Sequence, residues 1–201
     1  MVVRVGFLKL GNIGSAPLLE FLLDERAERQ DIDVRVVGSG ANMSPEQSID
    51  VAKRLVEFKP NLVLVTSPNA SLPGPTRSRE IFRDAKIPTI VVSDGPAKKA
   101  AKQIEEMGLG YMIVEADAMI GARREFLDPT EMALFNADMV RVLAIAGVFN
   151  LLCAEMDKAI ESLKRGEAPT LPRIVVNKEM AIAASGLNNP YARGKAMAAY
   201  E

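Results

Sequence analysis

The 201 residues include no histidine and no tryptophan. Without histidine, Ser-His-Asp triads, Cys-His dyads and imidazole acid–base catalysis are excluded within one chain. Zinc sites of the Cys/His type go with them. Cys153 is the single cysteine, so there is no internal disulfide framework, which fits a reducing cytosol. An excess of one charge is also lacking: 25 basic residues stand against 26 acidic ones, for a net charge of −1. That balance gives no electrostatic footprint for nucleic acid or an anionic membrane as partner. No apolar run reaches the roughly 18 residues that a transmembrane helix needs. The start, Met1-Val-Val-Arg-Val-Gly6, reads as a strand rather than a secretory signal. No G-x-x-x-x-G-K-[ST] loop occurs, which argues against P-loop phosphoryl transfer. Nothing points to a metal site, all-carboxylate Mg²⁺ included. The remaining enzyme chemistries are those that ask little acid–base work of the protein.

What is present suits one domain with a real core, or one domain plus a helical appendage: 48% of residues are hydrophobic and 25% charged. Val2–Leu8 is short, apolar and rich in β-branched residues, as a buried parallel strand should be. Gly11-Asn-Ile-Gly14 turns into a helix over 16–25. Further strands are expected at 34–37, 61–66, 89–92 and 110–115. Between them lie helices from Ser44-Pro45-Glu46 to about Phe58, near 76–85, and from Ser93-Asp-Gly-Pro96 to about Met107. Ser44 is placed as an N-cap with Pro45 at N1. This alternation predicts an α/β fold with a doubly wound, Rossmann-like parallel sheet. After Asp128-Pro129 the pattern changes. Residues 130–165 read as helical almost throughout, with Gly147 as a kink and Gly166 as a stop. Pro172–Val176 is a candidate short strand, and 177–185 and 190–201 read as helices. The expected division is an α/β ligand-binding domain over 1–116 and a mainly helical region over 117–201.

Four loops fall at the carboxyl ends of the strands, where open α/β sheets bind ligands. Gly11-Asn-Ile-Gly14 is half of a dinucleotide fingerprint, and it also reads as a plain strand-to-helix turn. Its small residues let the backbone approach a ligand, and Asn12 offers a donor and an acceptor to a heterocycle edge. Ser67–Pro75 carries three prolines and reads either as a rigid connection or as a preformed wall for a flat ring. Asp94 is an N-cap carboxylate or an acceptor for a sugar or pterin group. Lys98, Lys99 and Lys102 after it read as a solvated face, or one of them as a partner for an anionic cofactor tail. The fourth loop, 117–124, leads into Ile120-Gly-Ala-Arg-Arg-Glu-Phe-Leu-Asp-Pro129, where two arginines and a carboxylate stand between a strand and a helical layer. Cys153, between Leu152 and Ala154, reads as a core thiol with no activating neighbour.

Several segments together carry a resemblance. They are Lys9-Leu-Gly-Asn-Ile-Gly14, Leu22-Leu-Asp-Glu-Arg-Ala27, Val36-Val-Gly-Ser-Gly40, Gly108-Leu-Gly-Tyr111, Asn189-Pro-Tyr-Ala192 and Lys195-Ala-Met-Ala-Ala199. The most specific is the block Asp117-Ala-Met-Ile-Gly-Ala-Arg-Arg-Glu-Phe-Leu-Asp-Pro-Thr-Glu-Met132. The chain closely resembles the coenzyme F420-dependent methylenetetrahydromethanopterin dehydrogenases of methanogenic and related archaea. Two departures are visible: the family often has Cys where this chain has Leu10, and it continues well beyond the equivalent of Glu201. The resemblance implies reversible hydride transfer from methylenetetrahydromethanopterin to coenzyme F420 as a dissociable co-substrate, without a metal. It also implies a cytoplasmic homo-oligomer, a hexamer built from smaller units. By loop position, Gly11, Asn12, Ile13, Ser67, Pro68 and Asn69 are expected at the deazaflavin. Asp94, Asp117 and Arg124 are expected at the ribityl or pterin groups. The competing readings are a truncated scaffold and a non-catalytic α/β ligand-binding module. A receiver-like module is disfavoured because Lys9-Leu-Gly-Asn12 is not the acidic pocket it needs.

Overall fold

A computed structural model describes residues 2–24, 30–115 and 128–201. Six strands form one parallel sheet: β1 (Val3–Lys9), β2 (Ile32–Gly38), β3 (Leu62–Ser67), β4 (Thr89–Asp94), β5 (Gly110–Val114) and β6 (Arg173–Val176). Their order is β2-β1-β3-β4-β5-β6. The chain steps outward from β1 to β2, then returns across β1 to β3 and continues in the other direction. The direction therefore reverses between β1 and β3, which defines the topological switch point. Register aligns Lys9 with both Gly38 and Thr66, and Ser67 with Ser93.

Strand alternation sorts side chains to the two faces. Val3, Val5, Phe7, Leu62, Leu64, Ile90 and Val92 enter one core with α1 (Ser15–Asp24) and the helices that follow residue 128. Leu8, Val63 and Val65 enter another with α2 (Pro45–Glu57) and α3 (Pro73–Asp84). Val91 and Ile113 pack under the 3₁₀ turn Gly95–Ala100 and α4 (Ala101–Glu106). The result is three layers, helix on sheet on helix. Ser44 caps α2 by accepting from the Gln47 N–H, with Pro45 in the first turn, as expected. α3 starts earlier than expected. Pro73 and Pro75 lie inside its first turn, where the missing N–H groups have no helical partner to lose. The connection after β3 is therefore only Pro68–Leu72.

The long helical stretch is two helices, α5 (Pro129–Ile145) and α6 (Val148–Lys164), bent by 65°. Gly147 makes the break at φ 95, and a Cβ there would lie 2.2 Å from the Ala181 carbonyl oxygen. Asp128 caps α5 by accepting from the Thr130 N–H. The expected short strand is β6, paired in parallel with β5. α7 (Lys178–Ala184) and α8 (Pro190–Tyr200) are capped by Asn177 and Asn189. The Tyr200 hydroxyl donates to the Val176 carbonyl, tying α8 to the end of β6. Among the described residues, no single helix is long and apolar enough to cross a membrane.

Candidate functional site

At the switch point the loops after β1 and β3 touch. Gly11 is left-handed at φ +68, and a Cβ built on it would lie 3.1 Å from Pro68 Cδ and 2.9 Å from Met43 Sδ. Only glycine combines this backbone conformation with this approach. The Gly11 N–H donates to the Gly40 carbonyl and the Leu10 N–H to the Thr66 carbonyl, so the β1 loop is pinned to β2's loop and to β3. Asn12 is exposed, and its side chain has no hydrogen bond among the described residues. Ile13 is buried in the core, leaving only its backbone near the edge. Ser67 is fully buried, and its Oγ has no partner among the described residues.

The Pro68–Leu72 loop is held internally and from both sides. Asn69 Oδ1 accepts from the Ser71 N–H at 3.0 Å and from Ser71 Oγ at 2.6 Å. On β4, Ser93 Oγ donates to the Ser67 carbonyl at 2.6 Å and accepts from the Ala70 N–H at 3.0 Å. From α3, Arg79 Nη1 donates to the Ala70 carbonyl and Nη2 to Thr76 Oγ1 at 3.1 Å. Arg79 is completely buried, and burial pushes its guanidinium down to about 10. Between the ends of β1 and β2 a pocket of about 250 Å³ is lined by Lys9, Gly11, Asn12, Val36, Gly38 and Gly40. Lys9 Nζ bridges both carboxylate oxygens of Glu20 at 2.9 Å.

The remaining expected site residues divide. Asp94 Oδ1 accepts from the Gly95 N–H at 2.7 Å, the N-cap role that its sequence position allowed. Lys98 pairs with Glu115 and Lys102 with Glu106, while Lys99 is exposed. Asp117 and Arg124, with the whole 117–124 loop, lie outside the described residues. The sequence reading missed Arg79, Ser93 and Met43. For Arg79 a signal existed: Pro75, Arg79 and Phe82 fall at helical spacing on the buried face of α3. The surrounding charges, Arg77, Glu80 and Arg83, made that face look solvated.

A doubly wound parallel sheet with a left-handed glycine turn packed against a proline loop at its switch point defines an α/β protein of the class that binds ligands at the carboxyl edge of the sheet. The chain belongs to the methylene-5,6,7,8-tetrahydromethanopterin dehydrogenase family, whose model matches residues 3–201. A relative from Archaeoglobus fulgidus, described as an F420-dependent methylenetetrahydromethanopterin dehydrogenase, is 59% identical over 200 residues, covering 100% of this chain and 72% of its own length. A relative of the same description from Methanothermobacter marburgensis is 49% identical over 201 residues, covering 100% of this chain and 73% of its own length. A solved F420-dependent methylene-tetrahydromethanopterin dehydrogenase, in complex with methylene-tetrahydromethanopterin and coenzyme F420, superposes with a TM-score of 0.91 at 40% identity. That match covers 98% of this chain and 72% of the solved one. The family resemblance read from the motifs is borne out.

Proposed function

We propose that this chain is an F420-dependent methylenetetrahydromethanopterin dehydrogenase, moving a hydride reversibly between methylene-tetrahydromethanopterin and coenzyme F420. The observation that carries the reading is the coincidence of a family match over residues 3–201 with the close contact of the loops after β1 and β3 at the switch point of this sheet. When bound, coenzyme F420 supplies a deazaflavin ring whose C5 takes up the hydride given by the pterin's methylene carbon, leaving a methenyl cation that the pterin nitrogens stabilise. The residues present fit such a ring. Gly11 and Asn12, with Pro68 and Asn69 from the adjoining loop, form the edge against which the ring would lie, beside the Ile13 backbone and the Ser67 hydroxyl, which has no partner among the described residues. Asn12 offers its carboxamide to a ring edge. Pro68 offers an apolar surface fixed in advance, which lowers the ordering cost of binding. Asp94, Asp117 and Arg124 are assigned to ribityl or pterin contacts. The protein's work is positional: it holds two partners at reacting distance, and no residue has to shuttle a proton at the reacting carbon.

The test is to mix the full chain with methylene-tetrahydromethanopterin and coenzyme F420 and follow the deazaflavin's visible band. Loss of that band is expected. A folded protein that binds F420 without spectral change is instead the non-catalytic module. We also assign a homo-oligomer, hexameric on the family pattern. The supporting observation is α5, of whose residues only Leu143 is buried, while Leu134 is 63% exposed. Light scattering that returns a monodisperse monomer counts against it.

A further inference from the structure

We propose that Arg79 is a positioning residue for coenzyme binding, acting through the Ala70 carbonyl to fix the Pro68–Leu72 loop. The inference rests on the dehydrogenase reading above. A guanidinium is among the most expensive groups to bury, and proteins normally give it a carboxylate. Arg79 is 0% exposed and has no ion-pair partner among the described residues. Its Nε also lacks any hydrogen-bond partner among them. Neighbouring Arg77 and Arg83 take the ordinary course, exposed and paired with Glu80 and Asp84. No carboxylate among the described residues accounts for a buried cation at this one position of α3.

Its contacts do account for it. Nη1 meets the Ala70 carbonyl, and the N–H of the same residue is held by Ser93 Oγ. Ala70 is thus clamped at both of its polar groups, from α3 on one side and β4 on the other. Ser93 also grips the Ser67 carbonyl, so both ends of the Pro68-Asn69 segment are fixed. That segment is the wall that meets Gly11. Thr76 Oγ1 receives Nη2 and sets the direction of the guanidinium plane. Without Arg79 the Ala70 carbonyl is buried with no donor. The loop must then shift to find one, and Pro68 shifts with it.

The experiment compares Arg79→Gln, Arg79→Lys and Ser93→Ala with the wild-type full chain. Equilibrium dialysis gives the Kd for coenzyme F420, and steady-state assays give the KM for the pterin and kcat. The F420 Kd is expected to rise about tenfold or more in Arg79→Gln, the scale of one lost charged hydrogen bond. In Ser93→Ala it is expected to rise several-fold, with the pterin KM within about twofold of wild type in both. Arg79→Lys keeps the charge but cannot make both contacts, and it restores affinity only in part. An unchanged F420 Kd in folded variants overturns the proposal. Equal losses for both substrates that track lowered stability overturn it too, since a merely structural residue behaves that way. If Arg79→Gln does not fold, Ser93→Ala and Arg79→Lys decide by the same criterion. Wild-type protein that neither binds nor reduces F420 defeats the dehydrogenase reading itself, and this inference with it; wild-type turnover with indifferent variants defeats this inference alone.

Discussion

Replacing Gly11 by alanine adds one methyl group where the loops after β1 and β3 meet. Two costs follow. A non-glycine residue at φ +68 carries roughly 1–2 kcal/mol of left-handed strain. The new methyl also meets Met43 Sδ at 2.9 Å and Pro68 Cδ at 3.1 Å. The methionine sulfur can retreat on its flexible side chain. Pro68 cannot, because the residue two places on is clamped by Ser93 and Arg79. That overlap adds about 1–2 kcal/mol, the lower part of the range for overpacking. Gly166 provides the reference. It is left-handed at φ +75, but a Cβ there meets nothing within 4 Å, so Gly166→Ala carries the strain alone. Urea unfolding followed by circular dichroism should place Gly11→Ala about 1–2 kcal/mol below Gly166→Ala. Equilibrium dialysis should show F420 affinity lost by about tenfold or more in Gly11→Ala only, equivalent to roughly 1.4 kcal/mol of binding free energy. Equal stability losses, together with wild-type F420 affinity in Gly11→Ala, refute the contact between these loops as the basis of the seat.

Four further outcomes are expected. Burial lowers the Arg79 pKa to about 10, a shift corresponding to about 3 kcal/mol of desolvation, against which two charged hydrogen bonds restore about 1.5–3 kcal/mol each. Arg79→Met should therefore cost between zero and about 3 kcal/mol by urea unfolding; a gain in stability would show that the two hydrogen bonds do not offset the burial. The pH dependence has a definite sign: below about pH 10 the folded cation carries the full desolvation cost. As pH rises above about 10 the folded group deprotonates before the unfolded one, so wild type gains stability relative to Arg79→Met in that window. Gly147→Ala should cost more than about 3 kcal/mol in thermal or urea unfolding, because its Cβ meets backbone atoms at 2.2 and 2.4 Å that have no room to move. Cys153→Ala, at a half-buried thiol mid-helix in α6, should keep turnover within about twofold and lose about 1 kcal/mol at most. Loss of turnover in the folded Cys153 variant requires covalent chemistry and contradicts positional catalysis.

Much of the layering could be read from local chemistry. Short β-branched runs between amphipathic helices specify a parallel sheet, and Ser44-Pro45 specifies a helix start through capping alone. Gly147 and Gly166 mark breaks because only they accept the left-handed turn there. The prolines at 73 and 75 were harder. In sequence they prolong a loop, yet a first helical turn accepts them as well, so the boundary turned on packing. Gly74 shows why: a Cβ there would sit 2.1 Å from the Met43 carbonyl oxygen, so α3 begins where it can press against the start of α2. Strand order was not legible, because no local pattern says on which side of β1 the third strand adds.

The site depends on that order, and this is why its loops could be named but their joints could not. Ser67 and Ser93 are 26 residues apart, a separation fixed by a loop, a helix and a turn that carry no message about pairing. Parallel register between β3 and β4 sets them side by side, and only then does Ser93 Oγ reach both the Ser67 carbonyl and the Ala70 N–H. Arg79 depends on this in turn. In sequence it is one of three arginines in a charged helix, and its burial follows from which face of α3 meets the sheet. Its partner is a backbone carbonyl, which every residue possesses, so no side-chain pattern announces the bond. Sites built from backbone groups held by distant side chains are silent in sequence for this reason. The glycines and prolines that make room for them are not.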